Sequence, residues 1–235
     1  EQAPEIIVVD NGSTDDSVKR VRNAYPDAII IEAGRNLGFS AANNRALEKA
    51  SGEFVLLVNT DALLEKDCAN RLMNIMTNNP RVAMVGPQLL NEDGTNQTSF
   101  EAVPTLATEI LNRSLLKRLF PKKYPGKETN FSGPHPVEAV IGAVIMIRRS
   151  ALEQLNGFDE DYFFFLEETD LAVRMRKAGW LVIHDPLAKA MHLQGATAKK
   201  NEAAARIEFY RSRYIFFIKH YGILAMRILK GVLTI

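Results

Sequence analysis

EIIVVDNGSTDDS, residues 5–17, decides the fold class. A continuous β-branched run at 5–9 ends in a cluster of turn and cap residues that leads into a helical stretch at 18–24. A second apolar run, 28–31, is followed by GRNLG and then by SAANNRALEKA, whose Ala and Leu spacing suits a helix ending near Ser51-Gly52. FVLLVN, residues 54–59, is a third strand, stopped by Thr60-Asp61 and followed by a helix from about Asp67 to Asn78 and a strand at 82–85. Buried strands alternating with helices predict an α/β domain with a mostly parallel sheet covered on both faces.

Farther along, residues 91–136 collect Pro, Gly, Asn and basic residues around one amphipathic stretch, 106–119, and read as a mobile insertion or an acceptor-side segment. Regular structure resumes with a strand at 140–147, a helix from Ser150 to Gly157, a helix at 168–178, a strand at 181–184 and a long helix from about Glu202. The 235 residues are 46% hydrophobic and 24% charged, ordinary for a soluble domain, and no stretch is apolar enough to span a bilayer. A single cysteine, Cys68, excludes an intrachain disulfide and a cysteine-rich zinc module, and makes the cytoplasm the expected compartment. Net charge of +1 supplies no global field for nucleic acid. The chain opens at Glu1 and enters a strand pattern at once, so a segment upstream is expected.

In an open α/β sheet, ligands gather beyond the carboxyl ends of the strands, which directs attention to polar residues that follow apolar runs. Asp10 follows EIIVV and could accept hydrogen bonds from a base or ribose, or simply serve, with Ser13, as a cap. Asp61 follows FVLLVNT and could ligate a hard divalent cation or form a turn; Asn59 lies on the same side of an extended chain. Glu167, Glu168 and Asp170 come directly after the bulky run at 163–166, where apolar walls would raise a carboxyl pKa toward that of a general base; acids here also complement a helix dipole. Arg174, Arg176 and Lys177 read as a solvated face. His192 could give a neutral imidazole to a metal, whereas His184 reads as packed, and His135 and His220 as residues of a loop and a basic helix. No G-x-S-x-G elbow, Walker loop or G-x-G-x-x-G is present.

Taken together, VVDNGSTDDS, NLGFSAANNRAL, GEFVLLVNTDA, GAVIMIRRSAL, GFDEDYFFFLEETDLAVRMRKAGW and MHLQG resemble the family 2 inverting glycosyltransferases, rhamnosyltransferase-like members above all, over most of residues 5–220. The resemblance implies a GT-A type, Rossmann-like sheet and a metal-dependent, inverting sugar transfer from a nucleotide-sugar to a hydroxyl of a glycan or lipid-linked glycan, with dTDP-rhamnose the first donor to consider. It implies nucleotide-sugar contacts from Asp10, Asn11, Arg35, Asn36, Gly38, Asn59 and Asp61. It further implies a divalent cation, Mg2+ or Mn2+, on Asp61 and His192, and Glu168 as the catalytic base. Gly142, Ala143, Glu167 and Asp170 fall in the vicinity of the sugar or acceptor. Three departures accompany it. Asn59 replaces the first carboxylate of the family's D-x-D motif, Glu168 stands where Asp is usual, and the family's first strand, central in its sheet, is missing from this chain. The reading from another class is therefore a non-catalytic nucleotide-sugar or glycan-binding domain, and a nucleotidyltransferase is a third.

On this reading residues 1–90 form the nucleotide-sugar half, 91–200 the acceptor-side and catalytic half, and 201–235 a C-terminal amphipathic helical segment. That last segment mixes Arg206, Arg211, Arg213, Lys219, Arg227 and Lys230 with apolar residues at helical spacing, the pattern either of a terminal helix packing its apolar face on the domain, the favoured reading for 206–219, or of a helix lying on an anionic bilayer at the inner face of the cytoplasmic membrane. From His220 onward no later element covers the apolar residues, so membrane or partner contact is expected there, and deleting 220–235 is expected to weaken binding to anionic vesicles without abolishing transfer to a soluble acceptor. A homodimer is among the arrangements the sequence leaves open.

Overall fold

The computed structural model describes residues 4–111, 116, 118, 120, 131–193 and 202–233. In chain order the elements are β1 (Ile7–Asp10), α1 (Ser17–Ala24), β2 (Ile29–Glu32), α2 (Gly38–Leu47), β3 (Phe54–Val58), β4 (Ala62–Leu64), α3 (Cys68–Asn78) and β5 (Val82–Leu90). They continue with β6 (Phe100–Glu101), α4 (Leu106–Ile110), β7 (His135–Pro136), β8 (Ala139–Val140), β9 (Val144–Arg148), α5 (Arg149–Gln154), α6 (Glu167–Lys177), β10 (Leu181–His192), α7 (Glu202–Tyr221) and α8 (Ile223–Leu233).

A six-stranded mixed sheet runs β3-β9-β5-β10-β4, with β7 on β10; β5 and β10 are its parallel pair. β1 and β2 form a separate parallel pair, and β6 and β8 a short antiparallel one. Among the described strands β1–β2 is not hydrogen-bonded to the six-stranded sheet, although Glu5 at the head of β1 accepts the Ser51 N–H at 3.0 Å just ahead of β3. The sheet buries both faces, as β-branched and Met-rich strands with little polar alternation require. On one face Ile145, Ile147, Leu171, Ala172 and Met175 bring α5 and α6 against it. On the other, Cys68, Leu72 and Met76 of α3 cover Val85 and Ile183. The proposed boundary at residue 90 therefore crosses a shared core: Ala83 and Met84 pack in one cluster with residues from 139 onward.

The structure redraws several expected boundaries. The strand expected at 140–147 is two, β8 and β9, separated at residues 141–143, where the chain leaves the short sheet for the large one. The strand expected at 181–184 continues to His192 through a register irregularity between Asp185 and Lys189. Pro186 supplies no N–H to a ladder there, and the Asp185 carboxylate accepts the Leu187 N–H at 3.0 Å while pairing with Arg71. Within 91–136 the structure has β6, α4 and β7, with β6 paired to β8 just beyond, while much of the amphipathic stretch 106–119 lies outside the described residues.

The C-terminal segment forms two helices, α7 and α8, separated by Gly222 and packed in one cluster. Phe216, Phe217 and Leu229 are fully buried with Tyr162, Leu166 and Val173, forming a third core on the catalytic side. Apolar residues after His220 are thus covered in part. No helix among the described residues is long and apolar enough to cross a membrane.

Candidate active site

β3 ends at Val58 and β4 starts at Ala62, so Asn59, Thr60 and Asp61 make the turn between them, closed by Ala62 N–H donating to the Asn59 carbonyl at 3.0 Å. β4 pairs antiparallel with β10 in the register His192 to Ala62, and Leu193 N–H donates to the Asp61 carbonyl at 2.9 Å. This ladder brings His192 Nε2 within 3.5 Å of Asp61 Oδ1. On its other side His192 Nδ1 lies 3.2 Å from Gln97 Oε1, and Gln97 Nε2 donates to the His192 carbonyl at 2.6 Å. With the amide in that orientation, Nδ1 carries the proton and the Nε2 lone pair faces Asp61, the tautomer a metal ligand needs. One imidazole nitrogen and one carboxylate, close enough to reach a single ion, fit Mg2+ or Mn2+ whose other ligands come from water and phosphate. Among the described residues no group of three or more His, Cys, Asp or Glu stands ready for a metal. Gln97 escaped the sequence reading because nothing in a polar loop announces which strand it will bridge.

Glu168 sits in the first turn of α6, presented by a strained approach: Phe165 and Leu166 take left-handed φ of 71° and 65°. Non-glycine residues held there cost about 1–2 kcal/mol each and persist where the surroundings over-determine them. Glu168 Oε1 accepts the Gly142 N–H at 3.3 Å, and its Oε2 is buried without a partner. Burial pushes this carboxyl up to about 7, helped by the charge of Glu101. Glu167, 4% exposed and likewise with an unpartnered Oε2, is raised well above the usual range by burial and then by the charge of Glu168. The expected elevation is present. The described contacts of the neighbouring aromatics run elsewhere, however: Phe163 lies against Gly38 in α2, and Phe165 packs edge-on to Phe209 in α7.

Asp170 is turned to the C-terminal side. Burial alone would raise its carboxyl, but His220 Nε2 at 2.8 Å and Arg174 Nε at 2.6 Å outweigh it and hold it low. Arg174, expected on a solvated face, also donates to the Leu155 and Gly157 carbonyls. His184 is buried in mid-strand against Phe100 and His135, and burial drives its pKa down to about 3.

The two halves of the site are joined through Gly142 and Ala143. Asn59 N–H donates to the Ala143 carbonyl at 2.9 Å, so the turn bearing Asp61 is fixed to the same dipeptide whose Gly142 N–H holds Glu168. A Cβ on Gly142 would sit 3.3 Å from Glu168 Oε1, which accounts for glycine there.

The third part is a weld between the loops after β1 and β2. Asn11 donates to Asn36 Oδ1 and to the Gly38 carbonyl, and accepts the Leu37 N–H at 2.7 Å; Asn36 Oδ1 in turn accepts the Gly38 N–H. Asp10 accepts the Ser13 N–H at 3.1 Å and so shapes the turn rather than capping α1, which begins at Ser17. Arg35 and Asn36 line a cleft of about 380 Å³ with Phe163 and with Arg45 and Glu160, two residues the sequence did not single out.

Comparison with known proteins decides what this constellation belongs to. Residues 1–155 match the sequence profile described as Glycosyl transferase family 2, and residues 126–193 match one described as the N-terminal domain of galactosyltransferase. The chain belongs to glycosyl transferase family 2. It is 28% identical over 238 residues to the N-acetylglucosaminyl-diphospho-decaprenol L-rhamnosyltransferase of Mycobacterium tuberculosis, covering 94% of this chain and 77% of that protein. To the low-salt glycan biosynthesis hexosyltransferase Agl10 of Haloferax volcanii it is 27% identical, over 90% of this chain and 66% of the relative. Among solved structures, the mannosyltransferase PcManGT of Pyrobaculum calidifontis in complex with GDP-Man and Mn2+ superposes with a TM-score of 0.59 at 19% identity, over 98% of this chain and 65% of that one. GalNAc-T7 with UDP, GalNAc and Mn2+ gives 0.59 at 16% identity, over 80% and 37%. These likenesses establish the fold of the family 2 chain as GT-A, with the mixed sheet described above.

Proposed function

We propose that this family 2 chain transfers a sugar, with inversion, from a nucleoside-diphosphate donor to a hydroxyl of a lipid-linked glycan. One observation supports the reading: the Gly142-Ala143 dipeptide is hydrogen-bonded both to the turn bearing Asp61 and to Glu168, so a leaving-group site at the first and a base at the second can serve one reaction centre. A divalent cation held by Asp61 and His192 would neutralise the departing diphosphate. Glu168, held by the Gly142 N–H, presents its unpartnered Oε2 to the acceptor hydroxyl and takes its proton as the oxygen bonds to the anomeric carbon. The bond from that carbon to the diphosphate oxygen breaks with its electron pair leaving on the diphosphate. No enzyme-bound sugar forms, so configuration inverts. The cleft of Arg35, Asn36 and Arg45, welded by Asn11 and Gly38, receives the nucleotide end.

The Mycobacterium tuberculosis relative is by name a rhamnosyltransferase of N-acetylglucosaminyl-diphospho-decaprenol, and the acceptor of this protein is proposed to be of the same chemical class, with rhamnose on a dTDP carrier as the first donor to test. The outer face of α7 and α8, where Ile207, Ile223, Leu224, Ile228 and Val232 are exposed beside Arg206, Arg227 and Lys230, suits a peripheral contact with an anionic membrane at its inner face. A donor screen that reads nucleoside diphosphate release, with a diphospholipid-linked N-acetylglucosamine acceptor, tests the reaction. Asp61→Asn should lower metal-dependent release at least about 100-fold and leave the fold intact. Full release by that variant, still inhibited by a chelator, would put the metal elsewhere, and donor binding without turnover in the parent protein would leave a binding domain.

A further inference from the structure

We propose that Gln97 is a positioning residue for His192: it fixes the proton of the imidazole on Nδ1 and so keeps Nε2 open toward Asp61 for a divalent cation. The inference rests on the reading of Asp61 and His192 as metal ligands. Gln97 stands on a turn that folds back over the end of β5. Leu90 and Asn96 form an isolated antiparallel bridge there, and Gln97 N–H donates to the Leu89 carbonyl at 2.8 Å. Gln88 Nε2 and Ser99 Oγ both donate to the Gln97 carbonyl, at 2.9 and 3.1 Å. Both main-chain groups of Gln97 are thus satisfied close to β5, and its side chain is left to bridge to the end of β10.

At that end the amide meets two groups of one residue. Its Nε2 donates to the His192 carbonyl at 2.6 Å, and its Oε1 lies 3.2 Å from His192 Nδ1. A carbonyl only accepts, so the NH2 end of the amide must face it and the oxygen end is left facing the ring. That contact is attractive only when Nδ1 carries hydrogen. On the far side of the ring Nε2 stands 3.5 Å from Asp61 Oδ1, with the two side chains 13% and 26% exposed. Once the proton is on Nδ1, a lone pair and a carboxylate oxygen face the same space, an arrangement that a cation stabilises. The two neighbours therefore compete for one ring proton. Gln97 draws it to Nδ1, whereas Asp61 draws it to Nε2, the nitrogen a metal needs free. The backbone carbonyl decides between them, because it cannot exchange roles and so holds the amide in one orientation. A bridge that served only to tie the turn to the strand would be indifferent to which ring nitrogen holds the proton.

The experiment is long-range nitrogen–proton correlation NMR of the histidine rings in the whole chain, at about pH 9 where ordinary imidazoles are neutral, joined to a titration with Mn2+ alone followed by electron paramagnetic resonance. The chain has four histidines, and His192 is assigned by its loss in His192→Gln. The metal-free parent should show His192 in the Nδ1–H form. Gln97→Met, which keeps the length of the side chain and neither hydrogen bond, should move the proton to Nε2 and weaken Mn2+ binding at least about 10-fold. Gln97→Glu still offers an oxygen to Nδ1–H, so it should retain the Nδ1–H form and bind Mn2+ at least as tightly as the parent. An Nδ1–H ring in Gln97→Met, an Nε2–H ring in Gln97→Glu, or an equal loss of Mn2+ affinity in both variants overturns the role of Gln97. Mn2+ binding that is absent from the parent, or unchanged in His192→Gln, overturns instead the metal assignment, whatever the ring tautomer.

Discussion

Adjacent in sequence, Glu167 is buried and Glu168 is half-buried with its Oε2 shielded from solvent, yet only Glu168 is held by the dipeptide that also holds the Asp61 turn. Their raised pKa values have a cost in stability. A carboxyl that ionises near 4.5 in the unfolded chain but near 7 when folded contributes stability that is complete below about 4.5 and lost as pH rises through about 7. Glu168→Gln should therefore melt higher than the parent above pH 7 and close to it at pH 5, by scanning calorimetry at roughly those two values. The same variant should keep donor affinity while kcat falls about 100-fold or more. A melting gain equal at both pH values would mean that Glu168 is not the group titrating. Asp61 and Glu168 stand out in the sequence because they come after a buried strand and an aromatic run, but spacing alone left each open to a turn or helix-cap reading, and their roles come from the family resemblance. Gln97 does not stand out, since it meets His192 across 95 positions through strand pairing that local pattern does not encode.

At the level of elements, the loop ahead of α6 unites the site by touching both neighbours. Phe39 N–H donates to the Phe163 carbonyl at 2.7 Å, and Ser212 of α7 donates to the Phe164 carbonyl at 2.7 Å. A Cβ on Gly38 would lie 2.4 Å from the Phe163 carbonyl oxygen, and Gly38 has a φ of 82°. Gly38→Ala should thus push the nucleotide loop and the catalytic loop apart. Donor KM should rise and kcat fall together, with a stability loss of about 1–3 kcal/mol from the left-handed backbone and the clash. Unchanged kinetics with lowered stability alone would show that the two loops work independently. The sequence placed the starts of most of the longer helices and strands to within a few residues, because apolar period and turn chemistry are local, but it did not show β4 and ended β5 at 85, whereas β5 runs to Leu90. It missed that β10 runs on to His192, since Pro186 reads as the end of a strand when it in fact marks an irregularity inside one.

In the whole molecule, the α7–α8 pair both completes the core and offers a face to the outside, and these two uses predict different outcomes for different changes. His220 is a close partner of the buried Asp170 carboxylate, and Leu229 is fully buried against the loop that carries Glu168. Deleting 220–235 removes both, leaving a buried carboxylate short of a hydrogen-bonded partner and a hole in the third core, at a cost of several kcal/mol. Transfer to a soluble acceptor, expected to survive this deletion, should therefore fall without being abolished, and melting temperature should fall with it. The membrane face must be tested without touching that core. Leu224 is 70% exposed and Ile223 56%, with Arg227 and Lys230 alongside, so changing Leu224 and Ile228 together to Ser should weaken cosedimentation with anionic vesicles and leave melting within about 1 kcal/mol of the parent. Arg227→Glu with Lys230→Glu should do the same and abolish the salt sensitivity of what binding remains. Transfer to a soluble acceptor should be unaffected in all of these, whereas transfer to acceptor embedded in vesicles should drop in step with binding. Vesicle binding that survives both pairs of substitutions would return this face to self-association, to be read from sedimentation equilibrium of the same variants.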